Sequence, residues 1–240
     1  MKHLDLTFDT PAENLACDET LLDWCEDGIK HELLRFWEPA RHFVVVGYAN
    51  KISTEVNAPA CESLGIPILR RCSGGGTVVQ GPGCLNYSLI LRVDESGPTA
   101  GIRETNCLVM QAHARALESV VSEPVQIQGH TDLTMGNVKF SGNAQRRKRR
   151  CLLFHGSFLL NFDLPLIEKV LHIPSHQPDY RLNRPHQTFL RNLNVPATRV
   201  REALRSAWQA NDDLEKTPLP EIAKLAAEKY AVREWNYKFE

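Results

Sequence analysis

Apolar residues near the start of the chain repeat with the spacing of a helix that buries one face. Thr10 and Glu13 match the residues of a capping box, Pro11 suits the first helical position, and Gly28 suits the end. We therefore predict a helix between Pro11 and Gly28. Its buried stripe consists of Leu15, Leu21, Leu22, Trp24 and Cys25.

The clearest helical pattern covers residues 102–121, with six residues on one predicted face: Ile102, Thr105, Val109, Ala112, Ala116 and Val120. Shorter helices are predicted at 59–64, 164–171, 197–208 and 218–230. Strand-like patterns occur at 33–37, 42–48, 66–71, 77–80, 85–92, 125–128, 132–135, 138–141 and 151–162. Gly136-Asn137 is typical of a hairpin turn. The segment 173–188, rich in proline and histidine, is predicted to be an ordered loop.

The chain shows no internal repeat, low-complexity linker or break in composition. Helical and strand patterns are mixed along it. We therefore predict one α+β domain over residues 1–240, with a mixed, largely antiparallel sheet packed against helices.

Composition excludes several classes of protein. The 240 residues are 42% hydrophobic and 24% charged, with 28 Lys+Arg against 29 Asp+Glu. A net charge of −1 argues against general binding of nucleic acid, and the apolar content argues against disorder. No apolar run reaches membrane-spanning length, and the first residues lack the apolar stretch of a signal peptide. The seven cysteines show no CxxC spacing, which favours buried free thiols in a cytoplasmic protein.

A glycine-rich loop, RRCSGGGT at residues 70–77, lies between two predicted strands. Consecutive glycines favour a positive φ angle or close approach of the backbone to a ligand. The strand on each side excludes a Walker loop and a dinucleotide fingerprint, because both of those open a helix. Arg70 and Arg71 beside exposed backbone N–H groups would suit a phosphate or carboxylate, although a tight surface hairpin is the alternative.

Lys139 lies between Val138 and Phe140 on a predicted strand, so its side chain should face away from these two apolar residues. In a pocket, such a lysine could stabilise negative charge at an acyl or phosphoryl centre. A solvated strand lysine is the alternative. The small residues that follow, around Gly142, favour close packing or ligand approach.

Two further features carry weaker signals. The basic run at residues 146–150 is typical of a solvated face, but it could also meet phosphates or an acidic partner. Cys151 and His155 are four positions apart on a predicted strand, which would place a conceivable nucleophile–base pair on one face. No oxyanion hole is evident beside that pair, and a core histidine is the alternative.

Four blocks together resemble the lipoate–protein ligase family, within the larger group of biotin ligases and octanoyltransferases. The blocks are Asn14 to Glu19, RRCSGGGTV with Leu85 to Ser88, Asp132 to Arg146, and His155 to Leu160. Residues 234–237 are also similar to the end of that family's catalytic domain. The resemblance implies the biotin/lipoate ligase catalytic fold and ATP-dependent attachment of lipoate or octanoate to a lysine of a lipoyl carrier domain.

The resemblance implies a role for each matching residue. Lys139 would stabilise the acyl carbonyl and the bridging phosphate oxygens, and Arg71 would neutralise phosphate charge. Asp132 would assist the nucleotide or Mg²⁺, and Arg146 would close on the adenylate. Substrate and nucleotide contacts are expected from Arg70, Arg71, Ser73, Gly74, Gly75, Gly76, Thr77, Asn86, Asp132, Ser141, Gly142, Ala144, Arg146, His155 and Gly156.

The sequence departs from the family at Gln80 to Cys84, where many ligases have His-Asp-x-Gly-Asn, and at Thr131, where they have Asn. It also leaves no room for the small C-terminal domain of some members. We therefore expect either a separate accessory subunit or use of a preformed adenylate.

Two other functions remain open. An octanoyltransferase would carry a cysteine shortly before the central lysine, and residues 124–129 contain none, although Cys72, Cys84 and Cys151 lie near the site in sequence. A non-catalytic lipoyl-binding protein would keep the fold without the reaction.

Overall fold

The computed structural model describes residues 1–174 and 176–239. Ser175, inside the predicted loop 173–188, and Glu240 lie outside the described residues. Nine helices form within the described part of the chain: α1 (Pro11–Glu26), α2 (Ile52–Glu55), α3 (Ala58–Ser63), α4 (Ile102–Glu118), α5 (Leu164–Val170), α6 (His186–Phe189), α7 (Ala197–Ala207), α8 (Leu219–Leu225) and α9 (Arg233–Asn236). A 3₁₀ turn covers Asp179–Arg181, and a π-helical turn, Ala226–Tyr230, continues α8.

The strands divide into two sheets, which the sequence did not reveal. The smaller sheet contains β3 (Phe43–Val46), β4 (Ile68–Arg70) and β5 (Val78–Gln80), with β3 in the centre. The larger sheet contains β1 (Lys2–Asp5), β2 (Leu33–Trp37), β6 (Cys84–Arg92), β7 (Val125–Gln128), β8 (Asp132–Met135), β9 (Val138–Arg147), β10 (Cys151–Leu159) and β11 (Asp212–Asp213).

The larger sheet runs in the order β11-β1-β2-β6-β10-β9-β8-β7. The pairs β11/β1 and β1/β2 are parallel, and the remaining pairs are antiparallel. This arrangement confirms the predicted α+β class with a mixed, largely antiparallel sheet.

Helix α1 begins as predicted, because the Thr10 hydroxyl accepts a hydrogen bond from the Glu13 N–H at 3.2 Å. Helix α4 forms, but its buried face is rotated from the predicted one. Thr105, Val109 and Val120 are buried as expected, whereas Ile102 is 61% exposed in the first turn of the helix. Met110, His113 and Leu117 complete the face that packs on the sheet.

Three apolar clusters enclose the two sheets. One packs α4 and α7 against the larger sheet, and a second packs α1 and the α8 turn against the same sheet. The third joins the smaller sheet to α3 and α5. No helix in residues 1–174 and 176–239 is long and apolar enough to cross a membrane.

Candidate active site

A cavity of about 480 Å³ lies between the glycine loop, the centre of the larger sheet and a segment formed by Pro174 and residues 176–190. Twelve predicted site residues line it: Arg71, Gly75, Gly76, Thr77, Asn86, Asp132, Lys139, Ser141, Gly142, Ala144, His155 and Gly156. The apolar side chains of Leu15, Trp37, Val45, Val79, Leu159, Ile167 and Leu171 form other parts of the wall. The cavity therefore combines a polar region with an apolar one.

Strand register brings distant parts of the sequence together in this wall. Ser157 of β10 lies opposite Asn86 of β6 and Gly142 of β9, and His155 lies opposite Ala144. Gly156 also has a packing role, because a Cβ there would collide with the Asn143 amide oxygen. That amide is fixed in turn by the Tyr87 hydroxyl, which donates to it at 2.6 Å.

Lys139 projects into the cavity, as the alternation around it predicted. Its Nζ lies 2.7 Å from Oδ1 of Asp132, and the two side chains are 23% and 14% exposed. Oδ2 of Asp132 accepts a hydrogen bond from the Tyr180 hydroxyl at 2.7 Å. Burial and the neighbouring Asp132 carboxylate raise the pKa of Tyr180 well above its ordinary value, so this hydroxyl keeps its proton.

A β-bulge determines which residue lies beneath the lysine. The pairing of β8 with β9 shifts between Leu133 and Thr134, so that β9 carries one extra residue. A Cβ on Gly142 would lie 2.7 Å from Nζ of Lys139. The absence of a side chain at this position leaves the space that the ammonium group occupies.

The glycine loop has one position with a special backbone conformation. Gly75 has a φ of +85°, and its carbonyl oxygen packs so closely on Gly47 that a Cβ there would collide with it. Gly74 and Gly76 have open space around a hypothetical Cβ. The N–H groups of Gly74, Gly75 and Gly76 have no hydrogen-bond partner among the described residues, which leaves them available to an anion.

Arg71 lines the cavity but binds the loop itself. Its Nη2 donates to the carbonyls of Gly74 at 2.5 Å and Gly76 at 2.7 Å, and its Nε donates to the Ser73 hydroxyl at 3.1 Å. Burial lowers the pKa of Arg71 to about 10, so its guanidinium remains charged at neutral pH. Backbone carbonyls and the Ser73 hydroxyl occupy the Nε and Nη2 donors. The expectation that Arg71 contacts phosphate directly through these donors is therefore corrected.

Arg70 lies outside the cavity, and the expectation of a substrate contact is wrong for this residue. Its side chain is fully buried, and Nη1 donates to the carbonyls of Gly47, Tyr48 and Asn50 at 2.8–2.9 Å. Its Nε donates to the carbonyl of Asn236. Arg70 therefore ties the base of the glycine loop to the last helix.

A buried hydrogen-bonded chain holds the other side of the loop. Because Arg71 donates to the Ser73 hydroxyl, Ser73 can donate to Nε2 of His155, 2.5 Å away. This leaves the proton of His155 on Nδ1, which lies 3.4 Å from Oδ2 of Asp18. Oδ1 of Asp18 accepts from Nη1 of Arg35 at 2.6 Å. We call Arg35, Asp18, His155 and Ser73 the buried relay.

Asp18 stays ionised within the relay. Burial alone would raise the pKa of this carboxyl, but the Arg35 guanidinium and His155 hold it below its ordinary value. His155 lines the cavity, whereas Ser73 is 1% exposed and lies behind the wall. The expected ligand contact of Ser73 is therefore corrected to a supporting role.

Two other predicted residues also lie outside the lining, Gly74 and Arg146. Arg146 donates to the carbonyl of Cys72 at 2.9 Å, and so it braces the glycine loop. In the rest of the basic run, Arg147 donates to four acceptors near the start of α4, and Lys148 pairs with Asp23. The run is thus partly structural rather than simply a solvated face.

Six of the seven cysteines are buried, as predicted, and Cys107 is exposed. Burial raises the pKa of Cys72 and of Cys84 to about 12 and also raises that of Cys151. None of the seven lines the cavity. The hypothesis of a Cys151–His155 nucleophile–base pair is wrong. The Cys151 thiol lies in the apolar cluster beneath α1, while His155 binds Asp18 and Ser73.

The donor set does not fit a resident Mg²⁺ ion. Among the described residues, no three His, Cys, Asp or Glu side chains converge as a metal site. Both oxygens of Asp132 are already bound, to Lys139 and Tyr180. The expected role of Asp132 as an Mg²⁺ ligand is therefore corrected by this geometry.

The sequence did not identify several residues of the wall. Asp18 was part of a matching block without a role, and Arg181 and His186 come from the segment 173–188, which was predicted only as an ordered loop. Tyr180, from the same segment, binds Asp132 from behind the lining, and Phe189 follows directly after the segment. The Pro/His-rich composition was the available signal, but it does not indicate which side chains turn inward.

Comparison with known proteins agrees with the geometry. The family profile "Lipoyl protein ligase A/B catalytic domain" matches residues 10–207. An octanoyltransferase LipM of Lysinibacillus sphaericus is 28% identical, with 95% of each chain covered. A lipoate-protein ligase A subunit 1 of Thermoplasma acidophilum is 27% identical, over 96% of this chain and 95% of the relative.

Among solved structures, a lipoate-protein ligase A bound with ATP superposes with a TM-score of 0.84 at 24% identity, covering 100% of this chain and 99% of the other. A T. acidophilum protein with bound lipoic acid gives a TM-score of 0.82 at 22% identity, with 98% of each chain covered. These structures show the same fold. The chain belongs to the lipoyl protein ligase A/B catalytic domain family.

Proposed function

We propose that this protein attaches lipoate or octanoate to a lysine of a lipoyl carrier domain, through an acyl-adenylate made from ATP. The supporting observation is the division of the cavity into an apolar region and a region with Lys139 and free glycine N–H groups, with no thiol on its wall. Such a site can hold an apolar acyl tail and stabilise anionic oxygens. It lacks the cysteine that a thioester mechanism requires.

In the first step, an oxygen of the acyl carboxylate forms a bond to the α-phosphorus of ATP. The bond between that phosphorus and the bridging oxygen breaks, and pyrophosphate leaves. Lys139 and the N–H groups of Gly75 and Gly76 stabilise the charge that accumulates on the phosphoryl oxygens. Asp132 and Tyr180 hold Lys139 in place, and so its ammonium needs little reorganisation.

In the second step, the neutral ε-amine of the acceptor lysine attacks the acyl carbon. The bond between this carbon and the phosphate oxygen breaks, AMP leaves, and the new amide nitrogen releases one proton. Lys139 acts again on the departing phosphate. It acts as an electrostatic stabiliser rather than a nucleophile, because its side-chain nitrogen is paired with the Asp132 carboxylate 2.7 Å away.

The proposed acceptor is a lipoyl domain, and an accessory chain is a proposed second partner. Related Thermoplasma proteins are described as a subunit 1 and as part of a bi-partite lipoate protein ligase with its E2 lipoyl domain. An accessory chain would act in adenylate formation, whereas transfer from preformed lipoyl-AMP would need only this chain and the acceptor.

The test incubates the protein with ATP, Mg²⁺, lipoate and a lipoyl-domain acceptor, and measures the acceptor's mass and the AMP formed. A parallel reaction supplies lipoyl-AMP in place of ATP and lipoate. Acylation in at least the second reaction is expected, with strong loss in Lys139→Ala. No acylation in either reaction would favour a lipoyl-binding protein without catalysis.

An octanoyltransferase is the second candidate, because LipM proteins are prominent among the curated relatives. Octanoyl carrier protein and the acceptor are mixed without ATP, using wild type and a Cys72→Ala, Cys84→Ala, Cys151→Ala triple variant. Transfer by wild type that disappears in the triple variant would overturn the ligase proposal. Absence of transfer without ATP is the expected result.

A further inference from the structure

Arg181 is a buried cation in the cavity wall, and one nitrogen of its guanidinium has no hydrogen-bond partner among the described residues. The residue is 4% exposed and lines the cavity from the 3₁₀ turn Asp179–Arg181. Its Nε donates to the carbonyl of Arg184 at 3.0 Å, while its Nη2 is buried without a hydrogen-bond partner among the described residues. A buried guanidinium donor without a partner is costly, because it has lost water and gained nothing in exchange.

Packing fixes the orientation of this guanidinium. Its central carbon lies 4.6 Å from the centre of the Phe189 ring, and the backbone of the same segment holds Nε. His186 lines the same wall. Burial, together with the positive charges of Arg181 and Lys139, lowers the pKa of His186 to about 4, so the imidazole is neutral at pH 7. Arg181, His186 and Lys139 all line this one cavity.

One cation in this region has no direct ion-pair partner among the described residues. The Asp132 carboxylate lies 2.7 Å from Lys139 and is bound on its other oxygen by the Tyr180 hydroxyl. Arg184, the other cation of the segment, donates to the carbonyls of Asn137 and Tyr180 and does not line the cavity. Arg181 therefore makes no ion pair with a carboxylate within the described residues, and the charge of Asp132 acts on it only from a distance.

We propose that Arg181 and Lys139 form an anion subsite that binds phosphate oxygens of the nucleotide. The assignment rests on the proposed function. A nucleoside triphosphate carries several negative charges, more than Lys139 can balance while it is paired with Asp132. A planar guanidinium is suited to phosphate oxygens, and Nη2 of Arg181 has no hydrogen-bond partner among the described residues. The single charge of a fatty-acid carboxylate would need no second cation.

The experiment measures binding of ATP, inorganic pyrophosphate and octanoate to the full chain by titration calorimetry. Arg181→Met removes the charge but keeps the stem that packs on Phe189. Arg191→Met is the matched control, because its guanidinium pairs with Glu123 at the surface. Thermal melting verifies that each variant is folded. Arg181→Lys restores the charge without the planar fork.

We expect Arg181→Met to weaken ATP and pyrophosphate binding by about 10- to 100-fold, the effect of losing a hydrogen bond to a charged group. Octanoate binding and the Arg191→Met control should stay near wild type, and Arg181→Lys should recover part of the affinity. Weaker binding of octanoate alone would overturn the assignment and identify the anion as the acyl carboxylate. Unchanged binding of all three probes would reduce Arg181 to a packing residue.

The two proposals can fail separately. In one outcome, wild-type protein binds pyrophosphate through Arg181 but neither forms acyl-AMP nor transfers the acyl group from supplied acyl-AMP. This would contradict the proposed function and leave the subsite standing. Normal adenylation and unchanged nucleotide binding in Arg181→Met would contradict the subsite and leave the proposed function standing. Failure of Arg181→Lys to recover any affinity would contradict the role of charge.

Discussion

Replacing Asp18 by asparagine removes the carboxylate that faces the buried Arg35 guanidinium. Arg35 is fully buried, Asp18 is 2% exposed, and the two meet at 2.6 Å. The other donors of Arg35 bind the carbonyls of Leu6 and Asn14 and the Asn14 amide oxygen, none of which carries a charge. Asparagine keeps the size of the side chain but leaves a positive charge in the core without its counter-charge.

The expected cost follows from that burial. Removing one partner of a buried ion pair typically destabilises a protein by about 3–5 kcal/mol. For a chain of 240 residues, 1 kcal/mol corresponds to roughly 2–4 °C in melting temperature, which gives a decrease of about 6–20 °C. The Asp18 pKa is depressed in the folded state, so its stabilisation is complete above the unfolded value. It is lost as pH falls through the folded pKa.

Urea unfolding followed by circular dichroism measures the effect between pH 3 and pH 8. The difference between wild type and Asp18→Asn should be constant above about pH 5 and should shrink in more acidic solution. Asp5→Asn is the matched control, because Asp5 pairs with Arg201 at 3.7 Å with 40% of its side chain exposed. Such surface pairs contribute about 0–1 kcal/mol.

Asp18→Asn with a cost no larger than that of Asp5→Asn would refute the role of the buried charge. A double variant, Asp18→Asn with Arg35→Met, removes both charges and should recover part of the stability. If the double variant were less stable than the sum of the two single variants predicts, the interpretation as an uncompensated charge would fail.

Three further predictions concern the cavity and the core. Lys139→Ala should slow adenylate formation by on the order of 10²–10³-fold, measured as pyrophosphate release, because it removes the ammonium from the polar region. Gly75→Ala should cost about 1–2 kcal/mol of stability in urea unfolding, because its φ of +85° is unfavourable for a residue with a Cβ. Burial lowers the pKa of His113 from 6.5 to about 3. Below pH 6.5, His113 is therefore protonated in the unfolded chain but stays neutral in the folded chain. Wild-type stability should consequently fall as pH decreases towards 3. In His113→Gln this fall should be shallower.

Each of these has a control and a contrary result. Lys169→Ala, on α5, removes a lysine outside the lining, and equal losses in the two lysine variants would contradict a specific role for Lys139. Gly74→Ala has space for its Cβ, so a cost equal to that of Gly75→Ala would contradict the backbone argument. An unchanged pH profile in His113→Gln would show that other groups control the acid sensitivity.

Local sequence signals predicted much of the fold. The Thr10 cap, the Gly136-Asn137 hairpin and the apolar strand Phe43–Val46 all formed as expected. The short strands Lys2–Asp5 and Asp212–Asp213 were missed, because polar residues and short length give no recognisable alternation. The β-bulge in β9 was also missed, since an extra residue in a polar stretch does not alter the pattern.

The candidate site was only partly predictable, because residue type does not show what a side chain contacts. Lys139, Gly75 and Gly76 were predicted from the sequence as site residues, and all three line the cavity. It could not show that Arg70 and Arg71 bind backbone carbonyls, because the partners of Arg70 include Asn236, 166 positions away. Similarly, Asp18 lies 137 positions from His155, and tertiary packing alone brings them together.

The distribution of the thiols has a practical consequence. Cys107 on α4 is the exposed cysteine, while the other six are buried. No described residue of α4 lines the cavity. A maleimide dye or spin label added to the folded native protein should therefore attach at a single position, outside the cavity lining, without any engineered cysteine. The protein is ready for single-probe spectroscopy as it stands.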